Sequence, residues 1–477
     1  MNSLYALAPL SIIVLASIII LLLEVFLKKE NKNYLGYISV FFLTACFIFC
    51  FMSWGKDYSY FNGSLLLDNF ALFFFMILTI GTLLIILMSL NYISLMDANH
   101  GEFFALLLLA LSGMFIMISS TDFLVIFLGL EVLSISSYAL AGLKKKDEQS
   151  SEASVKYFLL GSFASAFLVF GLAFLFGAFK TTDILGIIDG FNKPTELGLL
   201  AIFGLGMVII SFAFKIAFVP FHMWTPDVYQ GSPTPVTAFF SVGPKAVGFV
   251  VLIRILYPYW HSLFDSNVLF TILWIVSALT MIFGNLIALR QTNVKRILAY
   301  SSIAHAGYIL VGILAMDNAS CVFYLTVYLF MNIGAFTAIT AMTKKGKEYV
   351  ELEDYAGAGF NHPWIGAAFA VFLFSLAGFP PLGGFLAKFY VFAAAVKEGL
   401  ISLVVIGILA SLVSVYYYLR IVVFMYMHRS AGKLDIQQEN PALLIVLFLC
   451  LYGVLQLGIF PGNILVFIRD AVGSLPF

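Results

Sequence analysis

The sequence predicts an all-α polytopic membrane protein, and three observations carry that prediction. Of its 477 residues 62% are hydrophobic and only 10% are charged, against about 25% charged in a soluble domain. Its apolar runs are continuous over about twenty residues, the helix length that crosses a bilayer core of about 30 Å. They lack the alternation of a membrane β-strand, and in lipid only helices or closed barrels satisfy every backbone N–H and C=O.

Taken in order, the runs place spans at 4–27, 34–54, 70–93, 103–119, 122–143, 154–178, 199–222, 235–257, 268–289, 296–316, 320–343, 364–396, 399–427 and 441–465, about fourteen in all. No basic residue precedes the first and no A-x-A site follows it, so a retained span is expected there, not a cleaved signal peptide. The twelfth is too long for one simple crossing. It contains Gly378-Phe379-Pro380-Pro381-Leu382-Gly383-Gly384, which removes amide donors and admits loop geometry, so a broken helix is expected. Pro220 and Pro226 predict a second break near the end of the seventh span.

Lysine and arginine placement sets the orientation. One set of loops holds Lys28, Lys29, Lys32, Lys144, Lys145, Lys146, Lys156, Arg290, Lys295, Arg296, Lys344, Lys345, Lys347, Arg420, Arg429 and Lys433. The opposite set holds Lys56, Lys180, Lys193, Arg254, Lys397 and Arg469. Sixteen against six predicts that the first set faces the cytoplasm and that both termini lie outside. Topology accounts for these basic clusters, and the formal net charge of zero implies no nucleic-acid partner. Cys46, Cys50, Cys321 and Cys450 all sit in apolar runs without metal-ligand spacing, so no zinc or iron–sulfur centre is expected.

Lys215, Lys245 and Lys388 fall inside spans. A charge at the bilayer centre costs at least about 2.5–3.5 kcal/mol and usually marks an ion or proton path. Lys245 lies mid-span, too far from either interface to snorkel. Lys215 stands five residues before Pro220, and Lys388 follows the break in the twelfth span. Glu131, central in the fifth span, is the one acid expected to match them. An isolated buried acid or base favours its neutral form, whereas a close pair holds both charged. Such a pair can store or release a proton when its geometry changes; a static ion pair is the plainer alternative. His305, central in the tenth span, is of the type that relays protons near neutral pH. His222 lies at the seventh-span break. Glu152 and Lys156, four apart, form an expected i,i+4 pair.

Both broken spans carry a lysine near the break. The fifth and tenth spans carry polar sets that begin Glu131-Val-Leu-Ser134 and Ser301-Ser302-x-x-His305. A shift of five spans inverts topology, which predicts two inverted five-helix repeats, spans 4–8 and 9–13. The expected division is 1–95 (helices 1–3), 96–262 (first repeat), 263–430 (second repeat) and 431–477 (helix 14).

Two long stretches carry a resemblance. Phe218-Val-Pro-Phe-His-Met-Trp-Thr-Pro-Asp-Val-Tyr-Gln-Gly-Ser-Pro-Thr-Pro-Val-Thr-Ala238 and Asn293-Val-Lys-Arg-Ile-Leu-Ala-Tyr-Ser-Ser-Ile-Ala-His-Ala-Gly-Tyr308 resemble the antiporter-like subunits of respiratory complex I, the proton-translocating NADH–quinone oxidoreductase, and of the Mrp cation/proton antiporters. The likeness covers nearly the whole chain. Within the family, Ser241–Ala246 and Ala377–Tyr390 look like one bacterial complex I member. The largest member carries a long C-terminal lateral helix, and the middle one has glutamate in place of Lys388. The resemblance implies that Glu131 and Lys215 form the paired site, that Lys245 is the central relay, and that Lys388 is the terminal site, reached through His305. Glu152, Lys156 and His222 stand where the family has polar residues in or near the proton path.

It further implies a bacterial inner-membrane location and no cofactor in this chain. NADH, FMN, iron–sulfur clusters and quinone are then expected in partner subunits. The implied partners are neighbouring antiporter-like and small membrane subunits and the lipid bilayer. A Na+/H+ antiporter subunit of the Mrp type and an inert structural membrane subunit are the alternatives.

Overall fold

The computed structural model describes residues 7–28, 31–61, 63–96, 101–191, 198–264, 268–344, 346–428 and 441–475, with side chains at 258–264 excepted. Lys29, Lys193, Lys345, Arg429 and Lys433 of the orientation argument, and the expected boundary at 430, lie outside them. The chain opens with α1 (Ala8–Phe26) and α2 (Asn33–Met52). An antiparallel hairpin of β1 (Tyr58–Tyr60) and β2 (Leu65–Leu67), with Ser59 opposite Leu66, follows. Then come α3 (Asn69–Leu95), α4 (Glu102–Ser119), α5 (Phe123–Ala141), α6 (Glu148–Phe179), α7 (Ile184–Phe191), α8 (Gly198–Ile216), α9 (Trp224–Gly231) and α10 (Thr234–Phe264). The rest is α11 (Val268–Ala288), α12 (Val294–Leu314), α13 (Asn318–Ala341), a 3₁₀ turn (Leu352–Tyr355), α14 (Ala358–Asn361), α15 (Pro363–Ala377), α16 (Gly383–Lys397), α17 (Ile401–Met427), α18 (Pro441–Ile459) and α19 (Gly462–Gly473).

Among the described residues, 13 helices are long and apolar enough to cross a membrane. The consecutive α15 and α16 occupy the twelfth run. The polyhelical membrane fold is therefore the one the composition predicts. The hairpin, α7, α14 and α19 were not expected. The last span also ends earlier than 465: α18 stops at Ile459, Pro461 follows, and α19 packs against α3.

Short polar residues start many of the helices. Asp68, Asp122, Asp147, Asn293 and Asp317 cap α3, α5, α6, α12 and α13 by accepting from first-turn amides, which have no helical partner of their own. Glycines let the most closely packed helices touch. A Cβ on Gly113 of α4 would lie 2.6 Å from the Gly129 carbonyl of α5, and one on Gly171 of α6 would lie 2.7 Å from the Gly204 carbonyl of α8. This is the small-residue contact that membrane packing favours. α10, α12 and α13 form the buried centre, while α1, α2 and α6 keep most of their surface outward.

The chain is interrupted twice in the same way. α8 ends with the Ala217 amide bonded to Phe214 O and the Phe218 amide to Ala213 O. α15 ends with Gly378 N–H on Ser375 O and Phe379 N–H on Phe374 O. Both are Schellman closures, which need a left-handed residue after the helix. Ala217 has φ +69° and Gly378 has φ +95°. A cis X–Pro peptide follows each, at Val219–Pro220 and Pro380–Pro381.

Candidate functional site

The three expected lysines are all buried, with 3% exposure at Lys215, 3% at Lys245 and 6% at Lys388. Each donates to a serine hydroxyl and lies over a tyrosine ring. Lys215, in the last turn of α8, donates to Ser134 of α5 at 2.9 Å and sits 5.7 Å from the Tyr157 ring of α6. Lys245 of α10 donates to Ser302 of α12 at 2.6 Å, 5.9 Å from the Tyr229 ring of α9. Lys388 of α16 donates to Ser411 of α17 at 2.8 Å, 5.1 Å from the Tyr308 ring of α12. A hydroxyl can both accept and donate a proton. A ring face attracts a desolvated ammonium by about 2 kcal/mol.

The lysines differ in how fully they are held. Lys388 reaches back across the break to the carbonyls of Leu376, 3.1 Å, and Ala377, 3.0 Å. Those carbonyls are at the negative end of α15. With Ser411 they occupy all three donors of the ammonium. Among the described residues, Lys245 has Ser302 as its one hydrogen-bond acceptor and Lys215 has Ser134.

Glu131 is half-buried, not fully enclosed as expected, and accepts from Ser165 of α6 at 2.5 Å. Among the described residues no ion pair joins it to Lys215. Lys215 instead binds Ser134, three residues further along the same helix. Tyr157 is held against Lys215 by stacking on Trp224 at 4.5 Å, and Trp224 donates from its indole nitrogen to Phe214 O at 3.0 Å.

α12 connects the other two sites. It carries Ser302 beneath Lys245, Tyr308 beneath Lys388 and, between them, His305. The imidazole Nδ1 is 2.7 Å from the Tyr324 hydroxyl of α13, and Nε2 is 3.3 Å from the Tyr418 hydroxyl of α17. Tyr418 also hydrogen-bonds Ser301. Nothing in the spacing of Tyr324 and Tyr418 distinguished them from other buried aromatics.

Glu152 and Lys156 pair at 2.5 Å, with side chains 61% and 41% exposed. Lys156 also meets Asp227 of α9 at 2.8 Å, and Asp227 meets Arg296 of α12 at 2.7 Å. Asp227 was not singled out from sequence, because it follows Pro226 in the stretch between the expected seventh and eighth spans. With Gln149, Ala153, Gln230 and Gly231, it and Glu152 line an open cavity of about 180 Å³. His222 is half-buried beside the break, its Nδ1 without a partner among the described residues.

Two charges assigned to loops are in fact buried, and a third is largely covered. Lys295 is 0% exposed at the start of α12, and Arg254 of α10, 2% exposed, pairs with buried Asp68 at 2.7 Å. Lys144 is half-buried against Glu348 at 3.1 Å. Hydropathy sorts residues by span ends and could not see the tertiary contacts that cover these. Glu131 is accordingly not the one buried acid, since Asp68, 1% exposed, is more enclosed. The four cysteines are buried and free.

A long helical bundle with two interrupted, lysine-bearing spans defines an antiporter-like membrane subunit. The family described as NADH:quinone oxidoreductase/Mrp antiporter matches residues 120–414. A relative from Trichlorobacter lovleyi, NADH-quinone oxidoreductase subunit N, is 43% identical over 95% of this chain and 93% of its own. A chain of respiratory complex I from Thermus thermophilus superposes with a TM-score of 0.82 at 32% identity, over 96% of this chain and 98% of that one. A chain of the Mrp complex from a Dietzia species shares the fold, with a TM-score of 0.83 at 19% identity over 98% and 97%. The chain belongs to this antiporter-like family, and within it to the NADH-quinone oxidoreductase subunit N sequences.

Proposed function

We propose that this chain is a proton-translocating membrane subunit of NADH–quinone oxidoreductase. Redox chemistry then belongs to partner subunits that hold NADH, FMN, the iron–sulfur clusters and quinone. Its place is the bacterial inner membrane beside other antiporter-like and small membrane subunits, with both termini outside. The observation that carries the reading is the threefold repetition of lysine, serine hydroxyl and tyrosine face, with His305 between the second and third.

The proton path runs from the Glu152–Lys156–Asp227 cluster, with His222 nearby, to Lys215, then Lys245, His305 and Lys388. A movement at the neighbouring subunit that changes the separation of Glu131 and Lys215 alters the electrostatic support of the ammonium and with it the proton affinity. A proton leaving an ammonium passes to a hydroxyl that gives up its own proton onward, so each lysine returns to its starting state when the next proton arrives. Buried hydroxyls on Tyr157, Tyr229 and Tyr328, which have no geometric hydrogen-bond partner among the described residues, supply further groups of this kind. The matching closures at Ala217 and Gly378 support an inverted repeat of spans 4–8 and 9–13.

The sodium-exchange alternative has less support, because the matched family spans both kinds of protein, the 43% identical relative is an NADH-quinone oxidoreductase subunit N, and the Mrp chain is only 19% identical. The test is Lys215→Ala in the assembled complex, reconstituted in vesicles. Protons moved per electron should fall while the complex stays intact. An unchanged ratio in intact complex would remove the assignment.

A further inference from the structure

A second ionic cluster, built around the fully buried Lys295, lies apart from the three lysines. Glu348, in the loop after α13, meets Lys144 at 3.1 Å and Lys295 at 3.3 Å. It accepts from the Thr234 amide at 3.1 Å, the Thr234 hydroxyl at 2.7 Å and the Tyr92 hydroxyl of α3. Lys295, with no exposed surface, donates to the Ser232 carbonyl at 2.6 Å.

Ser232, Pro233 and Thr234 are the joint between α9 and α10. At such a joint the last carbonyls of one helix and the first amides of the next lack helical partners, and Pro233 has no amide to offer. Lys295 covers the carbonyl end of α9, which is its negative end. Glu348 covers the amide end of α10, which is its positive end. Each charge therefore complements the dipole it faces, and the two charges close on one another around the proline. α9 carries Tyr229, whose ring faces Lys245, and α10 carries Lys245 itself.

We propose that Lys295 and Glu348 form an ionic clamp on the α9–α10 joint that positions Lys245 and Tyr229 for proton transfer. They are positioning residues; the clamp rests on the reading of Lys245 as a relay. Because small misplacements of reacting groups cost rate steeply, loosening the joint lowers pumping without removing any relay group.

The test uses the whole complex in vesicles, comparing Lys295→Ala, Lys295→Arg, Glu348→Gln and Lys215→Ala for subunit content, NADH oxidation and protons moved per electron. Glu348→Gln keeps an oxygen for Thr234 but drops the attraction to Lys295. It and Lys295→Ala should each lower the ratio to about half or less. Lys295→Arg should restore most of it, because arginine can hold the Ser232 carbonyl and Glu348. Arginine does not deprotonate in proteins. A ratio in Lys295→Arg no better than in Lys295→Ala, with the subunit present, would make Lys295 a proton carrier and overturn the clamp. So would wild-type ratios in Lys295→Ala and Glu348→Gln beside a low one in Lys215→Ala. If the lysine variants lose the subunit, the nearly isosteric Glu348→Gln decides. A wild-type ratio in Lys215→Ala overturns the relay reading and the clamp with it.

Discussion

Lys388 on α16 donates at 3.0 Å to the carbonyl of Ala377, the last residue of α15. The lysine after the break is thus held by the helix before it. Lys215 stands on the opposite arm of its own break, two residues before the left-handed Ala217. The two sites share a backbone closure and differ in which arm supplies the cation.

Gly378→Ala tests how closely that closure fits its lysine. The position has φ +95°, and an added Cβ would lie 3.2 Å from Lys388 Cδ. A left-handed conformation costs a residue with a Cβ about 1–2 kcal/mol, and the methyl also presses on the lysine. Pumping should fall in Gly378→Ala. Ala217→Gly relieves the same backbone cost, so it should raise the apparent Tm of the complex slightly. Proton-to-electron ratio and thermal unfolding measure the two effects; equal behaviour of both variants would count against this account.

Lys245 and Ser302 should act as one unit. Removing either the ammonium or the 2.6 Å hydroxyl acceptor breaks the same step. Lys245→Ala should nearly abolish pumping, and Ser302→Ala should reduce it. The double variant should lose no more than Lys245→Ala alone, since groups in one contact are not additive. Full additivity in a double-mutant cycle would show that the hydroxyl serves something else.

The span pattern was legible because lipid imposes continuous apolar runs of helix length, and Lys215, Lys245 and Lys388 were legible because charge is costly there. Their partners were not. Ser134 stood in the polar set of the fifth span without a partner assigned to it, and Ser411, Tyr157 and Tyr229 are ordinary residues until tertiary packing brings them to an ammonium. Lys295 failed for a related reason: it sits at a span end in sequence, and only the α9–α10 joint folding over it makes it buried. Asp227 was hidden by the proline-rich break around it.

Asp227 joins Lys156 of α6 to Arg296 of α12, so it ties the first half of the chain to the second. Its side chain is 36% exposed, and exposed pairs contribute only about 0–1 kcal/mol. Asp227→Asn should therefore leave thermal stability near the wild-type value while slowing proton uptake. Comparing unfolding temperature with initial pumping rate separates the two. A large stability loss with normal pumping would assign Asp227 a purely structural role.

Glu348 gives a pH signature. Burial alone would raise its carboxyl, but Lys295 and Lys144, with donors from Tyr92 and Thr234, hold it well below the ordinary glutamate value of about 4.3. A carboxyl lowered on folding stabilises the folded state above its unfolded pKa, and that contribution is lost as pH falls through the folded value. Wild type should unfold at a higher temperature than Glu348→Gln at neutral pH. The gap should narrow only once the solution is more acidic than the ordinary carboxylate range. A gap independent of pH would mean that the ionised carboxylate is not what stabilises the joint.

Arg254 and Asp68 make the most enclosed ion pair, with two contacts of 2.7 and 2.9 Å from Nη2 and the guanidinium over the Phe70 ring. Asp68 also caps α3 through the Ala71 amide at 2.7 Å. Removing one partner of a buried pair strands the other charge at a cost of about 3–5 kcal/mol, whereas replacing both is often neutral. Arg254→Met should thus deplete the subunit from purified complex. Asp68→Asn combined with Arg254→Met should recover most of it, because asparagine retains an oxygen for the cap. Quantifying the subunit in purified membranes of the single and double variants measures this. A double variant as depleted as Arg254→Met would show that packing of the guanidinium on Phe70, and not charge balance, holds this end of α10 to α3.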